Sequence, residues 1–405
     1  MLKPSLLGTD TTAILLLCGR FGSRRPGIKP LAQSEYHELD GMLENHNRTP
    51  GSLLDGVRQD FLNTVGAGVA SPERLARLLA RSDELERALD HWSRAGIWVL
   101  SERDRDYPQR LRQRLTSARP PLLFCAGPKE PLNQGGVCIV GSRDSHKPAL
   151  QFAQTLGARC AEEGLSVISS DMRGVDREAI SAALAKGGQV ISVLSDSLEK
   201  TISQWRNRDA LASGLLTLVT PFSPGTRFTV ANAMRANKFR YALSDAAVIV
   251  ETRRKGGIWS GADENRKEGW VPAFVRVGES MSQGNGALLH LGLLPITLNN
   301  VESRSKLRDF FFSHALKHRD LGESARTPSG VAANINAIPP LDLYSVFLAE
   351  FLSLTANQPH TEEEIINHFN IKRSQAREWL RRAAEQGRVR KYKRPVRYGA
   401  SPAVQ

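Results

Sequence analysis

Short apolar runs alternate with amphipathic stretches between about residue 120 and residue 295 of the chain. Apolar runs with no polar face are typical of parallel strands that helices cover on both sides. The pattern therefore predicts an α/β fold with a Rossmann-like, doubly wound, mostly parallel sheet. The predicted strands are 137–140, 165–169, 189–194, 215–220, 246–250 and 273–277, and the predicted helices are 148–163, 177–186, 229–242 and 260–269.

The segments on either side of this sheet have different patterns. Leucines recur at helical spacing before residue 115, and Ser71 followed by Pro72 is a typical helix start. Residues 320–340 are rich in Gly, Pro, Ala, Ser and Asn, which is typical of a linker. The predicted divisions are an α-helical N-terminal region (1–115), a Rossmann-like core (116–315), a linker (316–340) and a C-terminal unit (341–405).

The C-terminal unit has the pattern of a winged helix. Thr361 opens one helix with a capping box, Ser374 caps a second helix, and Gly387 ends it. Two short β-forming segments on either side of residues 393–395 then predict a hairpin wing. Helices and hairpin in this order predict a winged helix-turn-helix, which binds nucleic acid.

The charge of the chain supports a polyanionic partner. The formal net charge is +13, and residues 371–398 contain eleven Lys and Arg residues against only Glu378 and Glu385. Because most of the excess lies in this one segment, we expect it to contact phosphate groups. The predicted nucleic-acid contacts of the winged helix are Lys372, Arg373, Arg377, Arg381, Arg390, Lys391, Lys393 and Arg394.

Small and cationic residues follow several predicted strands of the core. Ligands of doubly wound sheets bind beyond the carboxyl ends of the strands, and glycine, serine and arginine at such positions suit phosphate. The predicted phosphate-binding residues are Gly141, Ser142, Arg143, Ser169, Ser170, Arg173, Gly174, Asn237, Lys238, Gly256 and Gly257. We expect Asp176 to cap the helix that begins near Arg177, and residues 284–289 to form a turn.

Several motifs of the core resemble the DprA/Smf family of DNA-processing proteins. Residues 169–176 resemble its Ser-Gly-Gly-Ala-Arg-Gly-(Ile/Val)-Asp signature, and Asn237 with Lys238 resembles its Arg-Asn-Arg triplet. Ser170 and Asp171 stand where the signature has two glycines. The resemblance covers about residues 95–295, and the matching segments are 107–108, 120–127, 137–143, 169–176, 237–251 and 284–292.

The resemblance implies a protein that captures single-stranded DNA for DNA processing or recombination and is not an enzyme. It also implies a RecA-type recombinase as partner and a homodimer formed through the core, and it implies no cofactor. The winged helix adds a predicted site for duplex DNA. Natural transformation, repair and phage defence are all compatible with this function.

Cysteine usage and hydropathy complete the prediction. The four cysteines form no CxxC pair, so we expect reduced thiols, no metal site and a cytoplasmic location. No run reaches about 18 consecutive apolar residues, which predicts that no segment spans a membrane.

Two alternatives belong to other functional classes. One is a nucleotide-binding or nucleotide-hydrolysing enzyme of the phosphoribohydrolase type, because residues 256–264 are similar to its Pro-Gly-Gly-x-Gly-Thr-x-x-Glu signature. In that case Glu251 and Glu264 are the candidate acids. The other is a transcription factor that senses a nucleotide through its core.

Overall fold

A computed structural model describes residues 7–21, 27–54, 70–303, 306–311, 313, 347–348, 351–352, 354–355, 358–369, 373–393 and 396–400. Its main feature is a nine-stranded sheet within these residues. The strands are β1 (Ile97–Ser101), β2 (Leu122–Ala126), β3 (Val137–Gly141), β4 (Val167–Ser169), β5 (Val190–Val193), β6 (Leu216–Thr220), β7 (Ala246–Glu251), β8 (Ala273–Arg276) and β9 (Leu294–Ile296).

The strands lie in the order β1-β2-β6-β5-β4-β3-β7-β8-β9. The pairs β1–β2 and β2–β6 are antiparallel, and every other neighbouring pair is parallel. After β3, the chain adds β4, β5 and β6 in turn on one side of β3. It then crosses to the other side, where β7 pairs with β3. The prediction of a Rossmann-like, doubly wound, mostly parallel sheet is confirmed. The crossing puts a topological switch point between β3 and β7, where ligands of such sheets bind.

Helices cover both faces of this sheet. Those of the core are α5 (Gln109–Leu115), α6 (Pro131–Gln134), α7 (Lys147–Glu162), α8 (Val175–Ala185), α9 (Leu198–Ser203), α10 (Trp205–Ala212), α11 (Val230–Leu243), α12 (Gly257–Glu268), α13 (Gln283–His290) and α14 (Leu298–Glu302). Val137 and Ile139 of β3 pack into one hydrophobic cluster, whereas Cys138 and Val140 pack into another on the opposite face. Burial on both faces explains why this strand has no polar face in the sequence.

The helices before β1 are α1 (Thr9–Cys18), α2 (Gln33–Asn45), α3 (Pro72–Leu79) and α4 (Ser82–Arg94), with a 3₁₀ turn at Pro50–Leu54. Leu15 of α1 and Trp92 of α4 belong to the same cluster as β3, so these helices pack against the sheet. The predicted start at Ser71 is confirmed, because the Ser71 hydroxyl accepts a hydrogen bond of 3.2 Å from the Arg74 backbone N–H.

Two local predictions are wrong. Helix α8 begins at Val175 after Gly174 in the N-cap position, so Asp176 lies inside the helix and caps nothing. Its carboxylate turns towards β3 and β4 instead of towards the free N–H groups of its own helix. The predicted turn at residues 284–289 is part of α13, which begins after Ser282 and ends at His290. The glycines there fit a helix because the Ser282 hydroxyl caps the Asn285 N–H.

The C-terminal residues form α15 (Glu362–Phe369), α16 (Arg373–Glu385) and an antiparallel hairpin of β10 (Val389–Lys393) and β11 (Val396–Ala400). The predicted capping box is present, since Thr361 and Glu364 exchange backbone-to-side-chain hydrogen bonds of 2.8 and 3.3 Å. Ile365, Leu380 and Tyr398 share one small cluster with Phe351. The winged-helix assignment and the four domain boundaries stay predictions, and the linker lies outside the described residues.

None of the helices found in the described ranges is long and apolar enough to cross a membrane.

Candidate nucleic-acid interface

A cleft of about 210 Å³ opens at the switch point between β3 and β7. Its walls come from the loop after β3, the loop after β7 and the first turn of α12. Arg143, Arg253 and Lys255 give it a positive charge, and among the described residues no carboxylate lies within 4 Å of their charged groups. The lining residues are Ser142, Arg143, Asp144, Thr252, Arg253, Lys255, Gly257 and Ile258.

Glu251 fixes the loop after β3 from the end of β7. The Ser142 N–H donates to the Glu251 carbonyl oxygen at 2.9 Å. The Glu251 carboxylate accepts a 3.0 Å hydrogen bond from the His146 backbone N–H and faces His146 Nδ1 at 2.9 Å. Glu251 itself is buried, so both ends of the loop that carries Arg143 are attached to β7.

Two of the predicted glycines are required by packing. A side-chain carbon at Gly141 would lie 2.6 Å from the side chain of Val175. Gly174 has a positive φ of 92°, and a side chain there would collide with the carbonyl oxygens of Ser142 and Arg143. Glycine at both positions therefore lets the loop before α8 lie directly against the loop after β3.

A buried polar network lies beneath the cleft. Asp176 accepts hydrogen bonds from the Gly141 N–H at 3.1 Å, the Ser170 hydroxyl at 2.5 Å and Arg240 Nη1 at 3.0 Å. Arg240 also donates to the side-chain oxygen of Asn237, whose amide donates to the Gly257 carbonyl oxygen at 2.7 Å. These bonds connect β3, β4, α11 and α12 and so position the walls of the cleft.

The network also affects ionisation. Burial raises the pKa of Asp176, while the charge of Arg240 and the hydrogen bonds from Ser170 and Gly141 oppose this rise. Arg240 and Asp176 have side chains only 6% and 3% exposed, so neither charge is compensated by water.

The structure places some of the predicted core residues in the cleft and others in the interior of the sheet. Ser142, Arg143 and Gly257 line the cleft, with Gly256 next to it in the N-cap position of α12. Ser169 is fully buried and donates to the Ile139 carbonyl oxygen at 2.6 Å, so its hydroxyl stabilises the sheet. DNA contact by any of the predicted residues stays a prediction.

The remaining predicted cations of the core have acidic partners. Arg173 is paired with Asp144, and Lys238 Nζ lies 3.9 Å from the Glu264 carboxylate. Neither Arg173 nor Lys238 lines the cleft. Their charges are therefore partly neutralised before any ligand binds.

Asp171, which stands at a signature glycine position, is also paired. Arg206 Nη2 lies 2.5 Å from its carboxylate, and Arg177 Nε lies 3.8 Å from it. Its negative charge is therefore directed at two arginines beyond the end of β4.

Some cations of the C-terminal unit have acidic partners, and others are exposed on the wing. Arg377 Nε lies 2.8 Å from Glu362, Arg373 Nη2 lies 3.1 Å from Glu363, and Arg381 Nη1 lies 3.0 Å from Glu385. The charge count from residue 371 onwards omitted the glutamates of α15, which lie opposite α16. The count therefore gave too large a value for the positive charge that this unit has free to bind a ligand.

The wing contributes a second group of cations. Arg390 and Lys391 are exposed on β10, where each lies over a tyrosine ring, Tyr392 at 5.8 Å and Tyr398 at 5.7 Å. Lys372 and Arg394 lie outside the described residues, and for Lys393 only the backbone is described.

Sequence reasoning missed several residues of the site. Glu251 was considered only as a candidate acid of the phosphoribohydrolase alternative, and Arg240 was not among the predicted site residues, although the structure gives both positioning roles. Arg253 was also left out of the predicted set, and Lys255 was considered only as the residue before the glycines at 256 and 257. A run of three cations, residues 253–255, directly follows a predicted strand and would have indicated them.

Residues 98–300 match the model of the family described as DNA recombination-mediator protein A. The chain belongs to this family. The match begins within β1 and ends within α14, so it contains the sheet except for Ile97, together with the switch-point cleft and the buried network. The resemblance to DprA/Smf proteins is thereby confirmed.

Individual relatives agree with the family match. The DNA processing protein DprA of Mycobacterium tuberculosis is 27% identical over 242 residues, which are 55% of this chain and 62% of that protein. The protein Smf of Synechocystis is 27% identical over 166 residues, 39% of this chain and 40% of the relative. The chain therefore spans less than two thirds of the length of these relatives.

A solved structure shows the same fold. DNA processing protein A of Streptococcus pneumoniae superimposes with a TM-score of 0.55 at 19% identity, over 72% of this chain and 95% of that one.

Proposed function

We propose that this protein binds single-stranded DNA in the cleft between β3 and β7 and acts in DNA processing or recombination without breaking a bond. The observation that carries the proposal is a set of three cations at the switch point that have no acidic partner in the described part of the chain: Arg143, Arg253 and Lys255. Family membership supports a role on DNA. Among the described residues these cations have no acidic partner, and a cleft of this kind is suited to a polyanion rather than to a neutral ligand.

The chemistry of the cleft fits a phosphodiester group. The guanidinium of Arg143 can donate two parallel hydrogen bonds to phosphate oxygens, and Lys255 adds a compact positive charge. Helix α12 begins at Gly257 in the cleft wall, so its free backbone N–H groups and the positive end of its dipole face the same space. The Asp176–Arg240 pair and Glu251 hold these donors in place before the ligand arrives.

The finer parts of the proposal rest on the family resemblance and on charge. We propose that a RecA-type recombinase receives the strand. We also propose that the protein self-associates through its core. The exposed cations of the wing, Arg390 and Lys391, provide a second contact for single-stranded or duplex DNA.

Fluorescence anisotropy with a labelled oligonucleotide tests the cleft. Arg143→Ala or Lys255→Ala should weaken single-strand binding by about 1–3 kcal/mol, because each removes a charge-assisted phosphate contact. Lys238→Ala should cost less, since Glu264 already faces that ammonium group. Arg266→Ala is the matched control, because it removes the same charge from an exposed pair with Asp263 on α12.

The salt dependence provides a second measurement. Each lost phosphate contact should make the slope of log affinity against log salt shallower by about 0.7 for a single strand. If Arg143→Ala and Lys255→Ala bind the single strand as tightly as the control Arg266→Ala does, the cleft is excluded as the DNA site.

A further inference from the structure

A groove of about 820 Å³ opens on the C-terminal unit between α15, α16 and the hairpin of β10 and β11. Arg373, Arg377 and Arg381 follow one another at four-residue spacing on α16, so they lie on one face of the helix. All three line the groove, and Lys391 lines it from the hairpin. The groove therefore contains a row of three arginines that spans about 12 Å along the helix axis.

Glutamates contact every arginine of this row. Glu362 lies 2.8 Å from Arg377 Nε and 3.8 Å from Arg373 Nε, so it faces two of the three arginines. Glu363 lies 3.1 Å from Arg373 Nη2, and Glu385 lies 3.0 Å from the guanidinium of the last arginine in the row. Carboxylate and phosphate oxygens accept the same hydrogen bonds from a guanidinium group. The glutamates therefore occupy the positions that phosphate oxygens would take.

The arginines of the row are open to a ligand in spite of these pairs. Their side chains are 58%, 63% and 71% exposed, so phosphates can reach them without a change in the backbone. An exposed ion pair is weak, and each one changes an equilibrium by only about 1.4- to 5-fold. A ligand of sufficient charge can therefore exchange the glutamates for its own anionic groups.

We propose that Glu362, Glu363 and Glu385 compete with DNA phosphates for the arginines of α16 and so restrict this groove to duplex DNA. This inference rests on the proposed contact of the wing with DNA and specifies which DNA it takes. Over about 12 Å of axis a duplex presents about seven phosphates, and one strand of the same rise presents about half as many. The duplex therefore replaces the three carboxylates, whereas a single strand is left to the cleft of the core.

Fluorescence anisotropy of the full chain with a labelled duplex and a labelled oligo-dT of equal length tests this. Glu362→Gln should raise the affinity for the duplex by about 2- to 5-fold and leave the affinity for oligo-dT unchanged. Glu378→Gln is the matched control, because this exposed residue of α16 does not line the groove and has no ion pair among the described residues. It removes the same charge from the same unit and should raise the affinity for the duplex less.

A double-mutant cycle separates competition from general repulsion between Glu362 and DNA. Arg377→Ala should weaken duplex binding by a factor that is about 1.4- to 5-fold larger in Glu362→Gln than in the wild type, because no ion pair then has to be broken. Equal factors in the two backgrounds would show that Glu362 only repels DNA, and they would overturn the competition.

The single strand separates this inference from the function on which it rests. If Glu362→Gln raises the affinity for both ligands equally, or for neither, the selection of duplex DNA by these glutamates is overturned. If the wild type and its variants bind oligo-dT but no duplex, the inference also fails, while single-strand binding in the cleft stands. Failure of the wild type to bind either ligand overturns the proposed function itself.

Discussion

Removal of one charge from the buried Asp176–Arg240 pair should strongly destabilise the core. Arg240→Met replaces the guanidinium with an apolar side chain of similar length and leaves the Asp176 carboxylate buried without a cation. The pair is 3.0 Å apart, and both side chains are almost completely buried. Breaking a buried ion pair on one side costs about 3–5 kcal/mol, since the remaining charge is uncompensated.

Urea denaturation followed by circular dichroism measures this loss. Arg173→Ala is the control, because its pair with Asp144 is mostly exposed and should contribute only about 0–1 kcal/mol. The double variant Asp176→Asn with Arg240→Met should recover part of the stability, since it leaves no buried charge. If the double variant loses the full sum of the two single losses, the two side chains do not interact and the network described here is incorrect.

The pH dependence gives an independent test of the same pair. Burial raises the pKa of Asp176 and the Arg240 charge opposes this rise, so the carboxyl should bind a proton more readily in Arg240→Met. A group with a raised pKa in the folded state adds stability as the pH falls towards that pKa. The loss of stability in Arg240→Met should therefore become smaller as the pH is lowered from neutral.

Three further predictions concern other parts of the molecule. Asp171→Asn should raise single-strand affinity by about 2- to 5-fold in anisotropy, because it frees Arg206 for phosphate; an unchanged affinity would show that this arginine does not reach DNA. Gly174→Ala should destabilise the core by more than about 1 kcal/mol in denaturation, since its φ is positive and its neighbours are backbone. Residues 340–405 should bind DNA with a log–log salt slope of about −3 to −5, and Lys391→Glu should weaken that binding; a salt-independent affinity would contradict a phosphate contact.

The sheet could be predicted because its signal is local. A strand buried on both faces has no polar face, and β3 meets that condition throughout, while β7 meets it from Ala246 to Val250. The short edge strand β9 was not predicted, because its three residues include Pro295 and two of them are only half-buried. The prediction of a turn at residues 284–289 was wrong because glycine weakens a helix but does not prevent one whose first turn is capped.

The candidate site could be predicted only in part. Arg143 and Gly257 were identified because the strand ends of a parallel sheet meet at one edge, which the order of elements determines. The partners of the charged residues could not be identified in that way. Asp144 lies 29 residues from Arg173, and Arg240 lies 64 residues from Asp176, so only the folded chain shows these pairs.

Free positive charge, rather than total positive charge, indicates where this chain is suited to hold nucleic acid. The C-terminal unit has the larger excess of Lys and Arg, yet Arg373, Arg377 and Arg381 each have a glutamate within about 3 Å. A cation already paired with a carboxylate must break that pair to bind phosphate, which reduces the net gain. Arg143 and Lys255 pay no such cost among the described residues, and the helix N-terminus beside them adds to their field. Arg390 and Lys391 of the wing also have no carboxylate within 4 Å among the described residues, so the cleft of the core and the wing are the two surfaces best suited to capture of the strand.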